Sequence, residues 1–215
     1  MSFSNNLRPD RMPGIINGNP LNGLCEKVCI QTKKVFDACV KQETLTDLAV
    51  TLTNITPESL VEPFTFVSAK STSSRGLITN MTIDKLADRS GCARIRCDVI
   101  IPIEVVFVDA NGVEGKGNGT VTINKDVVLH IAQPSVMPYE IEAVVNLISP
   151  EGVYAGNNVF NITSCSTVIM KVVMEVELLI PSYGYCFIPP CQEFREEVCD
   201  SFFDLPLFPA DVNVR

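Results

Sequence analysis

Apolar and polar residues exchange places along most of this chain with a period of two, the pattern of strands that bury one face. From Leu24 the pattern is strand-like. In Val28-Cys29-Ile30-Gln31-Thr32-Lys33-Lys34-Val35-Phe36, β-branched residues are interspersed with polar ones. A helix over Lys33 to Gln42 is the weaker reading, because β-branched side chains lose rotamer freedom there. Further alternating runs cover Leu48 to Ile55, Phe64 to Ala69, Gly76 to Ile83, Ile100 to Val108, Val113 to Ile123, Val127 to Ile131, Tyr139 to Ile148, Val153 to Ile162 and Thr167 to Ile180. No long amphipathic helix interrupts them.

The strongest local signal is a hairpin. Ile100 to Val108 enters it, Asp109-Ala110-Asn111-Gly112 turns it and Val113 to Ile123 returns, with Asn-Gly suited to a tight turn. On the return strand Gly115, Gly117 and Gly119 leave one face bare, as expected where another backbone approaches closely. Pro150-Glu151-Gly152 predicts a second hairpin turn. Turn signals at this spacing predict an all-β fold, an antiparallel β-sandwich of which a jelly roll is one form. The predicted organisation is an irregular N-terminal arm over 1–23, a sandwich over 24–180 and a C-terminal arm over 181–215. That last arm is rich in Cys, Pro and Phe.

Composition narrows the chemistry. The 215 residues carry a net charge of −8, which argues against nucleic acid, since that partner wants a basic face. No run approaches the roughly 18 apolar residues of a membrane helix. His130 is the single histidine, so any scheme needing a histidine base or ligand must use it. It lies in the strand-like run Val127 to Ile131 with no cysteine nearby in sequence, and packing or surface exposure is its simplest role.

Nine cysteines are the unusual feature, and an odd count leaves at least one thiol without an internal partner. Three close pairs stand out: Cys25 with Cys29, Cys92 with Cys97, and Cys186 with Cys191. None has the C-x2-C spacing of a zinc ribbon. Structural zinc on four cysteines is the lesser alternative to disulfides, and free buried thiols are another. Six of the nine, Cys25, Cys29, Cys39, Cys186, Cys191 and Cys199, lie before residue 40 or after residue 185. Cross-links there join subunits, whereas cross-links in the middle staple one core, so these six are the cross-link candidates. Such a count suits an oxidising setting, yet the polar start from Met1 to Pro20 has no apolar core of a secretory signal. The combination suggests a protein made in the cytosol and exposed later.

The remaining motifs have plain readings. Asp109 and Asn111 resemble part of a calcium loop whose pattern is not completed, so a turn is preferred. Glu175 and Glu177 place like charges on one solvated strand face. Four N-x-[ST] sequons, at Asn54, Asn80, Asn118 and Asn161, are read as coincidence. In the final arm Phe202, Phe203, Leu205, Leu207 and Phe208 crowd beside two prolines. They either pack back on their own domain or dock into a neighbouring subunit, as an added strand or as apolar anchors.

The segment Cys25-Glu26-Lys27-Val28-Cys29-Ile30-Gln31-Thr32-Lys33-Lys34-Val35-Phe36-Asp37-Ala38-Cys39 resembles the opening of spore-surface proteins from spore-forming Firmicutes, clostridia in particular. The Val-Phe-Val-Asp-Ala-Asn-Gly-Val hairpin is similar in style to their coat-associated β domains. Spore-appendage subunits of bacilli share the plan of a cysteine-bearing arm on a jelly-roll body, although this chain lacks a Cys-Cys dipeptide in its first arm. The resemblance implies synthesis in the mother-cell cytosol, assembly on the spore surface and heavy cross-linking. It also implies that the partners are copies of the same chain and other spore-surface proteins.

The expectation is therefore a non-catalytic, self-assembling subunit of a spore-surface layer or filamentous appendage, without a cofactor. Two alternatives stand beside it: a monomeric β-sandwich module binding a coat protein or a glycan, and a zinc- or cysteine-dependent enzyme.

Overall fold

The structure, a computed structural model, describes residues 18–132 and 135–186. Among the described residues it is all-β, with eight strands: β1 (Glu26–Thr51), β2 (Thr53–Thr56), β3 (Thr65–Ser71), β4 (Arg75–Lys85), β5 (Cys92–Val108), β6 (Glu114–His130), β7 (Glu140–Gly156) and β8 (Val159–Ser182). The segment Lys33 to Gln42 is strand, as its β-branched content predicts. Two compact units are distinguished: Lys33–Val176 and, among the described residues, 18–32 with 177–186.

In the larger unit the hydrogen-bonded order is β1-β8-β7-β3-β5-β6-β2, and β4 also pairs with β5 and β7. β3 and β4 lie end to end along β5, the first opposite Val108 to Ile103 and the second opposite Ile100 to Ala93. β7 pairs with their adjoining ends, Ala69 and Lys70 of β3 and Arg75 and Gly76 of β4. The order starts at β1 and ends at β2, which only Leu52 separates. The Gln42 amide reaches Thr167 on β8, while Asp37 accepts the His130 backbone N–H of β6. The first strand, itself one end of the order, thus also reaches β6 near the other end and brings the antiparallel sheet round a single core, in a sandwich-like fold.

That core follows from alternation. On β5, Ile95, Cys97, Val99, Ile101, Ile103, Val105 and Phe107 are buried, while Arg94 and Arg96 face out. Phe107 packs across the interior on Phe160 of β8, ring centroids 5.5 Å apart, and on Phe64 at 4.6 Å. Strands that do not adjoin in the sheet therefore meet through their side chains.

Three left-handed residues reset the alternation. The apolar residues packed on the core step from Leu45 to Leu48 across Asp47 (φ 55°), and from Leu52 to Ile55 across Asn54 (φ 51°). On β4 the inward set moves from Ile78 to Ile83 across Asn80 (φ 52°), where the register on β5 shifts. A bulge inserts an extra residue and turns the following side chains to the other face. Asp and Asn tolerate its left-handed backbone better than most residues. Two of the four sequon asparagines, Asn54 and Asn80, occupy such bulges.

The Asp109–Gly112 turn forms as expected, with the Gly112 N–H donating to Asp109 O at 3.0 Å. The left-handed residue is Gly112 (φ 79°), as fits glycine at the last position of a common turn. The second hairpin differs from the expectation. β7 runs through Pro150-Glu151-Gly152 as a bulged strand, and the chain reverses at Asn157-Asn158. The buried Ser149 hydroxyl secures the bulge, with Glu151 O at 2.9 Å and Thr163 O at 2.6 Å. Gly156, Asn157 and Asn158 supply three consecutive positive φ angles, which the Pro-Glu-Gly segment does not.

Two substitutions test this core. Phe107→Ala should lower the unfolding free energy by about 3–5 kcal/mol, read from denaturant midpoints. The Ser164 hydroxyl is fully buried with no hydrogen-bond partner among the described residues. Ser164→Ala should therefore leave stability unchanged or raise it by about 1 kcal/mol.

Candidate functional site

Strand geometry decides what each cysteine can reach. Cys25 precedes β1 and Cys29 lies on it, both exposed. Four nearly extended residues span about 13 Å, and a disulfide wants Cα atoms within about 7 Å, so these two cannot bridge each other. Cys92 and Cys97 lie on β5 at an odd spacing, which sends them to opposite faces. Cys97 is buried in the core and Cys92 is half-buried on the outside.

The other cysteines separate in the same way. Cys39 of β1 packs against the core, and burial pushes its thiol up, partly offset by the Met170 backbone N–H. Burial likewise raises the Cys97 thiol. Thiols held neutral are poor nucleophiles. Cys165 is exposed on β8, opposite Ile148, itself 54% exposed. Cys186 is exposed as well. Cys191, Cys199 and the docking candidates Phe202, Phe203, Leu205, Leu207 and Phe208 lie outside the described residues. Among the described residues there is no disulfide, and no three His, Cys, Asp or Glu side chains are grouped to hold a metal ion.

The fold also brings together groups that are distant in sequence. Cys92 stands directly opposite His130 in the β5–β6 ladder. The hairpin turn contained that information. Cys92 lies sixteen residues before Val108 and His130 sixteen after Glu114, the pair that opens the turn. Extending the predicted strands in register would have found it.

Lys125 was missed altogether. It occupies an inward position of β6 with its side chain 2% exposed, and its ammonium lies 2.5 Å from Glu43 of β1. Glu43 has a second cation, Lys41, at 2.7 Å. Hydrogen bonds from Lys125 and then Lys41 hold the Glu43 carboxyl below its usual range, with burial opposing. A lysine in the inward series Val121, Ile123, Lys125 was the available signal.

At the hairpin tip the buried Asp109 carboxylate accepts three backbone N–H groups, from Asn111 and Val113 at 2.8 Å and from Val61 at 3.0 Å. These bonds, with that from Val113 the strongest, hold its carboxyl below the usual range. Both oxygens are spent on the turn and on the segment before β3. Of the two strand glutamates, Glu175 lies 3.9 Å from Lys33, and Glu177 is exposed.

The chain matches no protein-family model, no curated protein and no solved structure. A reading of its function starts from this geometry: four exposed thiols, one thiol buried in the core, one half-buried against it, and one directly across the ladder from the histidine.

The ion pair yields an asymmetric expectation. Glu43→Ala strands an ammonium that is almost fully buried and should cost about 3–5 kcal/mol. Lys125→Met leaves Glu43 with Lys41 and places an apolar chain in the same space, so its cost should stay below about 1.5 kcal/mol. Equal losses in denaturant titrations would contradict this account. Acid should also unfold the protein. The folded-state pKa values of Glu43 and Asp109 lie below the ordinary 4.5 and 3.8, so their contribution is complete above those values. It is lost as pH falls through the lower folded values, an effect measurable as a falling thermal midpoint below pH about 4.5 that Glu43→Gln makes shallower.

Proposed function

We propose that this chain is a self-assembling structural subunit of a spore-surface layer or appendage, whose exposed cysteines link neighbouring copies. One observation carries the reading. Four of the seven described cysteines, Cys25, Cys29, Cys165 and Cys186, are exposed, and two of the pairs that could have stapled the chain locally are held apart by strand geometry. Thiols so placed are available to partners outside the chain. Cys165 joins the six candidates taken from the sequence, Cys25, Cys29, Cys39, Cys186, Cys191 and Cys199, while the burial of Cys39 weakens its case.

The smaller unit adds support. Cys25 N donates to Ser182 O at 2.9 Å, and the Tyr183 hydroxyl donates to Pro20 O. None of its described residues is buried, and Leu179 is 69% exposed. A two-stranded ribbon with both faces in water is marginal alone, and strand edges invite pairing with a further strand. A neighbouring copy or another spore-surface protein is the natural source of that cover.

Electrophoresis of assembled material with and without reductant, alongside negative-stain microscopy, tests the reading. The expected outcome is a ladder of multimers that collapses on reduction, from visible filaments or sheets. A single monomer band under both conditions, with no assemblies, would sink it.

A further inference from the structure

We infer that Cys92, with His130 as its base, is a thiol–disulfide exchange site that takes a small carboxylate-bearing disulfide as substrate. The pairing on the ladder is of the closer kind. The Cys92 N–H donates to Arg89 O and its carbonyl accepts from Leu86 N, both at 3.0 Å, while His130 N donates to Asp37 Oδ2 at 2.7 Å. Ile131 N donates to Gly91 O at 2.8 Å. The two residues therefore exchange no backbone bonds with each other. Such pairs bring Cα atoms to about 4.5 Å, with side chains adjacent on one face. No other described cysteine has an imidazole opposite it, since His130 is the only histidine.

The surroundings suit a ligand. Cys92 lines an open pocket of about 510 Å³ with Lys85, Ser90, Gly91 and Tyr139. Gly91 is left-handed (φ 83°), and a β-carbon there would lie 2.5 Å from His130 Cε1. The ring thus lies against the bare Gly91 backbone, one residue from the thiol. Lys85 supplies a cation to the same pocket, matched to a carboxylate on the incoming molecule. Burial withdraws Cys39 and Cys97 from such chemistry, and the exposed Cys165 has only Ile148 opposite it.

The step balances without another reagent. The imidazole of His130 takes the Cys92 thiol proton, and the sulfur attacks one sulfur of the disulfide. A bond forms between Cys92 Sγ and that sulfur, the original S–S bond breaks, and the departing thiolate collects the proton from the imidazolium. The protein thiol is oxidised to a mixed disulfide, and half of the small disulfide is reduced to a free thiol. This site does not depend on the assembly reading, because it uses none of the cysteines invoked there.

The test uses the full-length reduced chain with oxidised glutathione as the probe, followed by alkylation of unreacted thiols and peptide mass mapping. Cys92 should gain the glutathionyl group about tenfold faster than the more exposed Cys165, the scale expected of a positioned base. His130→Gln should bring Cys92 down towards the Cys165 rate without altering Cys165, and added imidazole should restore part of it. Gly91→Ala, which displaces the ring and spares the histidine, should slow Cys92 in the same direction. Lys85→Glu should reverse a preference for oxidised glutathione over cystamine, which has no carboxylate. A Cys92 rate at or below that of Cys165, or one indifferent to His130→Gln, overturns the inference. So does a chain-doubling mass in place of the glutathione adduct. Multimer formation in the preceding experiment is scored separately, so either result can fail without the other.

Discussion

Everything in the larger unit depends on the place where the first strand seals the sheet. Val50 fills the space that Gly119 leaves empty, and a β-carbon on that glycine would lie 2.4 Å from Val50 Cγ1. Leu52 does the same at Gly117, and Phe107 with Leu60 at Gly115. Side chains at Gly117 and Gly119 would hold the β1–β2 segment off β6, and one at Gly115 would displace Leu60 and Phe107. The glycines cost strand stability in isolation, since each loses backbone entropy and packs nothing itself. Here that cost is offset by the burial of Val50, Leu52 and Phe107, each at 4% exposure or less. The bare face is a seat mainly for side chains, with Thr51 O the nearest backbone atom at Gly119.

The same seal explains why a lysine can occupy the interior. Lys125 lies on β6 six residues beyond Gly119, where β1 passes close enough to deliver Glu43. An isolated ammonium at that depth would be expelled or neutralised. Cys97 is its direct partner on β5 and faces the same interior. The cysteines therefore divide by a rule that has nothing to do with sulfur. A residue's phase on its strand sets whether its thiol meets core, water or a neighbour's side chain, and that setting in turn decides its reactivity.

Three asymmetries in the fold trace to single residues with left-handed backbone. Asp47, Asn54 and Asn80 interrupt strands that the apolar pattern would continue, and the phase of burial changes across each. Aspartate and asparagine also occur freely in ordinary turns and on exposed strand faces, so composition cannot mark them as bulges in advance. At Pro150 a strong turn signal was absorbed into a strand, because a bulge tolerates a residue without an N–H. The reversal moved to Gly156-Asn157-Asn158, where left-handed φ is available at three successive positions.

The sequence by itself determined the all-β class, the inward series of β5 and β6, and the Asp109–Gly112 reversal. These depend on short-range facts, a period of two and a local turn, which any extended chain with this pattern must obey. Tertiary structure alone decided which strands adjoin, that the first strand closes the sheet against a face of glycines, and that Glu43 meets Lys125. It also decided which cysteines are withdrawn into the core. Those outcomes depend on contacts between residues tens of positions apart, and on left-handed bulges that change the facing of every residue beyond them. The Cys92–His130 pair lies between the two cases. It was implied by the hairpin register, but it became visible only once both strands were known to run unbroken for seventeen residues.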